Sequence, residues 1–313
     1  MDDASAARPN EVASRPLWWR ALRQAYDGVM SAVSRMDTAT VLAAAGRAGR
    51  VIHAIHPRHP SVAEISRLFD GFDSPAVRDP LRTARQMSEL RYQNRALFAM
   101  VARHDIDSVI ALTDPSAVAQ FERFRNPSSP TILVGWHVGP IFGLTGFLSH
   151  QKLPVLALRA SGHYAARGSM EFAFTSGGME QRTTAVRRAV RHLKNGGLVA
   201  VASDGPDFSE SVEVRCLGRA MHLARGPYAL ARMTGASIVP LAPRWTRDGR
   251  ICIEVGSPLA VPVVVDGDNN RFEQAYAQAS ADWFETYALA HPGDLWLYRL
   301  RQLLANERVP RVQ

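Results

Sequence analysis

Thr131 to Phe142, TILVGWHVGPIF, constrains the chain more than any other stretch. An apolar, partly β-branched run of strand length meets a Gly139-Pro140 break, and a helix-length apolar run follows. This spacing predicts a buried strand, a turn and a helix, with His137 at the strand's carboxyl end. In open α/β sheets that end is where ligands bind. A histidine beside Trp136 can equally be an idle wall residue, so the rest of the chain must decide.

Strand-length and helix-length runs then alternate. Strands are expected at Asp107–Leu112, Pro154–Arg159, Leu198–Ala202, Ser237–Ala242 and Ile251–Val255, and helices from Ile141, over Arg182–Lys194 and over Arg225–Met233. Such alternation predicts an α/β fold with a central mixed sheet layered by helices. Before it, amphipathic spacing predicts helices over Leu17–Val33 and Thr38–Ile55, and Ser61-Val-Ala-Glu64 has the form of a capping box. Ser74-Pro75 opens a long helix to about Arg103, and Asp114-Pro115 opens another to about Phe124. The last 40 residues return to helix, anchored by Trp283, Phe284, Trp296 and Leu300. The expected organisation is a leader over 1–16, a helical segment over 17–105 packed on an α/β domain over 106–305, and a tail over 306–313.

Composition narrows the function. Lys and Arg number 37 against 29 Asp and Glu, a net +8 that favours acidic partners. The excess is spread along the chain with no basic tract or nucleic-acid-binding motif, so nucleic acid is not an expected partner. Two cysteines without a CxxC pair exclude a disulfide framework and point to a reducing, cytoplasmic setting. No structural metal is expected: prolines 57 and 60 break the helix that would align His53, His56 and His59. No run is long and apolar enough to span a membrane. Trp18 and Trp19 beside Arg15, Arg20 and Arg23 fit either a helix at a lipid interface, hence peripheral contact with the inner face of the membrane, or one docked on protein.

The polar residues that follow apolar strands are His137, Arg159, Asp204 and Arg244, which are expected to converge on one cleft. No G-x-S-x-G elbow, Walker A sequence, G-x-G-x-x-G or H-E-x-x-H is present.

From about residue 85 to 305 the order of features resembles the bacterial lipid A late acyltransferases, the lauroyl/myristoyl transferase branch of the lysophospholipid acyltransferase superfamily. The matching pieces are Trp136-His137-Val138-Gly139, the strand-end Arg159, a basic helix and the LVAVASD strand ending at Asp204. Cys216-Leu217-Gly218, the block Gly226 to Pro240 and the terminal Trp296-Leu-Tyr-Arg299 complete them. The resemblance implies transfer of a fatty acyl group from a carrier-protein thioester to a hydroxyl of a lipid-linked sugar. For this chain the expected donor is a carrier-protein or CoA thioester and the expected acceptor a hydroxyl or amine of a lipid-like molecule or secondary metabolite, with no cofactor. His137 would be the general base, and backbone N–H groups in the following turn would stabilise the oxyanion.

The family's motif is His, four residues, then Asp or Glu, and here Phe142 stands in the acid's place. Three explanations are open. Asp204 or Asp207 supplies the carboxylate; His137 works without one on an easier acceptor; or the chain is a non-catalytic acyl- or lipid-binding relative acting as carrier or scaffold. Expected substrate-binding positions are Trp136, Gly139, Phe142, Arg159 and Gly218. Arg159 is a candidate for phosphate, whereas Arg244 is expected to pair with a carboxylate. Trp136, Ile141, Phe142, Leu144 and Phe147 are candidates for an acyl tunnel. Arg182, Arg187, Arg188 and Arg191, opposite Val186, Val190 and Leu193, are candidates for docking an acidic carrier protein, or a solvated helix face.

Overall fold

The computed structural model describes residues 36–55, 60–102, 106–125, 129–159, 170–175, 178–205, 210–246, 248–260 and 269–306. The Trp18-Trp19 stretch, His56, His59 and Asp207 lie outside them. The architecture is α/β: a central six-stranded mixed sheet with helices on both faces and helical segments before and after it.

The leading helices are α1 (Thr38–Ile55), α2 (Val62–Phe69), α3 (Pro75–Arg78), α4 (Pro80–Ala102), α5 (Ile106–Ala111) and α6 (Pro115–Glu122). Their starts follow local chemistry. Ser61 Oγ accepts from Glu64 N at 3.1 Å while Glu64 Oε2 accepts from Ser61 N at 2.8 Å, a complete capping box. Ser74 and Asp114 cap their helices, each followed by proline at the first helical position.

Two expectations change here. The helix expected from Ser74 to Arg103 is two, parted at Asp79-Pro80. The strand expected over Asp107–Leu112 is the helix α5: Ile106, Val109 and Ile110 recur at helical steps, and Val109 is fully buried while Asp107 is exposed.

Strand β1 (Thr131–Gly135) is buried along its whole length and leads into α7 (Ile141–His150). Then come β2 (Val155–Arg159), β3 (Glu171–Phe174), α8 (Met179–Lys194) and β4 (Leu198–Ala202). A hairpin of β5 (Ser211–Cys216) and β6 (Arg219–Ala224) precedes α9 (Gly226–Thr234), β7 (Ser237–Trp245), β8 (Ile251–Val255), α10 (Asn269–Ala290), a 3-10 turn (Pro292–Asp294) and α11 (Leu297–Ala305). The sheet order is β3-β2-β4-β1-β7-β8, parallel except for β8. The hairpin stands apart as a two-stranded sheet lying against α10.

Side chains of β1 alternate between two cores. Ile132, Val134, Trp136 and Val138 join the larger cluster with α2, α9, α10 and α11, and Leu133 joins a second with Phe121, Leu144 and Phe147. Among the described residues no helix is long and apolar enough to cross a membrane.

Candidate active site

The site is set by strand register. Strands β1 and β4 are parallel neighbours with Gly135 opposite Ala202, so two residues further on His137 stands opposite Asp204. The pairing persists past the strands: Ser203 N donates to Gly135 O at 3.2 Å, and His137 N lies 3.1 Å from both carboxylate oxygens of Asp204. The imidazole meets the same acid, Nδ1 to Oδ1 at 2.8 Å. Asp204 is wholly buried, whereas the His137 side chain keeps 29% exposure.

From the far side Arg299, the third residue of α11, donates through a terminal nitrogen to Asp204 Oδ2 at 2.8 Å. Burial by itself would push the Asp204 carboxyl up. The Arg299 guanidinium and the bonds from His137 outweigh it and hold the pKa at about 2, so the acid is ionised. An ionised carboxylate can only accept, so the proton between the two groups sits on His137 Nδ1, and in the neutral imidazole this leaves the lone pair on Nε2. That is the tautomer a general base requires.

The turn after β1 is built to hold His137 out from the strand. Trp136 O accepts from Val138 N at 2.8 Å around His137, and Gly139 O accepts from Ile141 N at 3.0 Å around Pro140. Pro140 has φ −80° and ψ 62°, the inverse γ-turn well that is common where strands end. Between them Gly139 has φ +50°, and a Cβ there would sit 1.8 Å from Pro243 O, so only glycine fits. Its carbonyl also accepts from Asn94 Nδ2 at 2.8 Å and Trp296 Nε1 at 3.1 Å, and its N–H donates to Asp294 O at 2.8 Å.

Partly exposed aromatic rings surround the imidazole. Trp296 and Tyr298 lie 5.9 and 6.4 Å from it, centroid to centroid, and Phe142 packs on Trp296 and on Phe98 at 6.1 and 5.2 Å. Phe142, in the acid's expected place, therefore belongs to this aromatic rim.

Other expected positions fall elsewhere. Trp136 is fully buried and stacked on Phe284 at 4.0 Å with 5° between planes, so it is a core residue. Leu144 and Phe147 are buried on the opposite sheet face, so the expected tunnel residues do not share one space. Gly139 shapes the turn from a buried position. Gly218, with φ +66° after Leu217 at +51°, makes the β5–β6 turn, where both central residues need positive φ; the side chain nearest to it is Phe72. Arg159 ends β2 as expected, and its side chain lies outside the described residues. Arg244 pairs with Glu254 at 2.5 Å, as expected.

Of the expected oxyanion donors, the N–H groups of Val138, Gly139, Ile141 and Gly143 each bond to a carbonyl. On α8 the buried stripe is Ala185, Ala189 and Leu193 rather than one that includes Val186, which is 38% exposed. Among the described residues no group of three or more His, Cys, Asp and Glu is placed to hold a metal.

Arg299, Asn94 and Asp294 carried no assigned role in the sequence. Of the three, Arg299 was the one with readable signals: it ends the Trp296-Leu-Tyr-Arg299 motif and is a charged residue beside Leu300 and Leu303 on the apolar face of a helix.

No family model and no curated protein matches the chain. Among solved structures the chain is similar to the 1-acyl-sn-glycerophosphate (LPA) acyltransferase PlsC from Thermotoga maritima. The TM-score is 0.33 and the identity 14%, over 68% of this chain and 86% of that one.

Proposed function

We propose that the protein is an acyltransferase in which His137 is the general base and Asp204 the acid that orients it. One observation carries the reading: the His137 Nδ1 to Asp204 Oδ1 bond of 2.8 Å, made to a wholly buried carboxylate at adjoining ends of parallel strands. The order of motifs along the sequence supplies the reaction class. In this reading the acid that the family carries on the helix after the histidine has moved to the neighbouring strand.

The donor is an acyl-carrier-protein or acyl-CoA thioester and the acceptor a hydroxyl or amine on a lipid-like molecule or secondary metabolite. The acceptor's oxygen or nitrogen attacks the thioester carbonyl as His137 Nε2 takes its proton. Asp204 offsets the charge of the imidazolium that forms. Collapse of the tetrahedral intermediate forms the ester or amide and expels the thiolate, which takes the proton back from His137.

Exposed Arg187 and Arg191 with Lys194, spaced along one side of α8, suit an acidic carrier protein. Peripheral membrane contact through Trp18 and Trp19 is tested by liposome flotation of wild type against a Trp18→Ser, Trp19→Ser variant; equal flotation refutes it.

A second reading, an acyl- or lipid-binding relative without turnover, is favoured by the carbonyl bonds that occupy the N–H groups of Val138, Gly139, Ile141 and Gly143 after His137. Incubation with acyl-carrier and acyl-CoA thioesters of varied length, followed by mass spectrometry for wild type and His137→Ala, separates the two. Thioester loss that depends on His137 is the expected result. Saturable acyl binding with no such loss selects the carrier reading.

A further inference from the structure

The Arg299 guanidinium is 1% exposed, and among the described residues Asp204 is the one carboxylate within ion-pair distance of it. Its Nε–H is buried without an acceptor, and its other terminal nitrogen donates to Gln302 Oε1 at 2.5 Å. A buried charge so incompletely solvated is costly, and hydrophobic replacement of such a pair often stabilises a protein. The Tyr298 ring, with its centroid 5.2 Å from the guanidinium carbon, is a further contact of this charge. The geometry also divides the carboxylate. Arg299 takes Oδ2 while His137 Nδ1 takes Oδ1, so the guanidinium fixes the rotation of the carboxylate that presents Oδ1 to the imidazole.

The segment that delivers Arg299 also grips the turn carrying His137. Asp294 O accepts from the N–H of Gly139 and Trp296 Nε1 donates to its carbonyl, and Leu295 pairs with Val138 as an isolated antiparallel bridge. Within six residues, Asp294 to Arg299, the chain thus holds the histidine's turn and the histidine's acid.

We propose that Arg299 is a positioning residue for His137: through Asp204 it holds the imidazole in the Nδ1–H tautomer, so that α11 completes the site. The inference rests on the reading of His137 as a base, but its primary readout is the imidazole itself. The titratable groups facing Asp204 are His137, Arg299, Tyr298 and Tyr228. Burial pushes both tyrosines up, so Arg299 is the constant positive charge in the set.

The test is nitrogen NMR of the ¹⁵N-labelled His137 ring in wild type, Arg299→Met and Arg299→Lys, with thioester loss measured in parallel. Wild type is expected to hold the Nδ1–H tautomer. Arg299→Met is expected to give a mixture of tautomers with kcat down about 10- to 100-fold and KM little changed, the size of loss seen when an outer partner of an oriented histidine is removed. Arg299→Lys keeps the charge and is expected to hold the tautomer. Should Arg299→Met not fold, Arg299→Gln removes the charge while keeping a donor for Oδ2, with the same outcomes. An unchanged tautomer in a folded, uncharged variant overturns the proposal and leaves Arg299 a structural tie. Absence of thioester loss in wild type overturns the acyltransferase reading alone, because the tautomer still reports on Arg299.

Discussion

The main-chain N–H of His137 faces both oxygens of Asp204 at 3.1 Å, and its own side chain binds one of them at 2.8 Å. One residue therefore grips the acid from backbone and ring together, and small shifts of the strand ends move both contacts at once.

Asp204→Asn keeps the shape of the side chain but removes the ion that fixes the tautomer and balances Arg299. His137-dependent thioester loss is expected to fall by about 10⁴, by analogy with removing the orienting acid of a triad. Stability is expected to fall by about 3–5 kcal/mol, because a buried guanidinium loses its partner. Because burial is outweighed and the Asp204 pKa sits at about 2, its contribution to stability is present above its ordinary value of 3.8 and is lost as pH falls toward 2. Unchanged turnover in the Asn variant would remove Asp204 from the reaction.

Gly139→Ala is expected to cost more than an ordinary glycine substitution. Left-handed backbone alone costs a side chain about 1–2 kcal/mol. The new Cβ would also fall 1.8 Å from Pro243 O, so β7 or the turn must move. A drop of at least about 3 kcal/mol in urea denaturation is expected, with loss of thioester activity in whatever remains folded. A variant as stable as wild type would contradict the close approach of turn and strand.

Trp136→Leu separates core from substrate contact. Its ring is stacked on Phe284 in the centre of the larger cluster. Its truncation is expected to cost about 2–4 kcal/mol by the lost burial and the cavity left behind. The preference among thioesters of different chain length is expected to stay as in wild type. A changed preference would return Trp136 to the substrate site.

Asp294 gives the clearest dependence on pH. Burial pushes its carboxyl up to about 7, against the lowering effects of the Tyr287 hydroxyl at 2.9 Å and of His291 and Arg244. The folded state thus favours the protonated acid. Its contribution is full below the ordinary value of 3.8 and is lost as pH rises through about 7. Relative to Asp294→Asn, wild type is expected to lose up to about 1.4 kcal/mol per pH unit between pH 4 and 7 in chemical denaturation. A constant difference between the two proteins across that range would refute the shift.

Much of this protein was determined by local sequence. The apolar run before Gly139-Pro140, the helix opened at Asp114-Pro115 and the capping box at Ser61 each follow from backbone preferences within a few residues, and these formed where expected. His137 and Asp204 could be named because both follow apolar runs. Short apolar segments were less legible: Ile106–Ala111 has too few residues for its period to distinguish strand from helix, and packing of Val109 decided it.

Only the tertiary structure decided which acid meets the histidine. Phe142 is five residues from His137 and Asp204 is 67, yet parallel register places the distant one at hydrogen-bond distance. Register is a relation between strands, absent from either strand alone. Arg299, 95 residues beyond Asp204, enters for the same reason: a buried charge is tolerated only where the fold brings its counter-charge, and the sequence around Arg299 does not contain it.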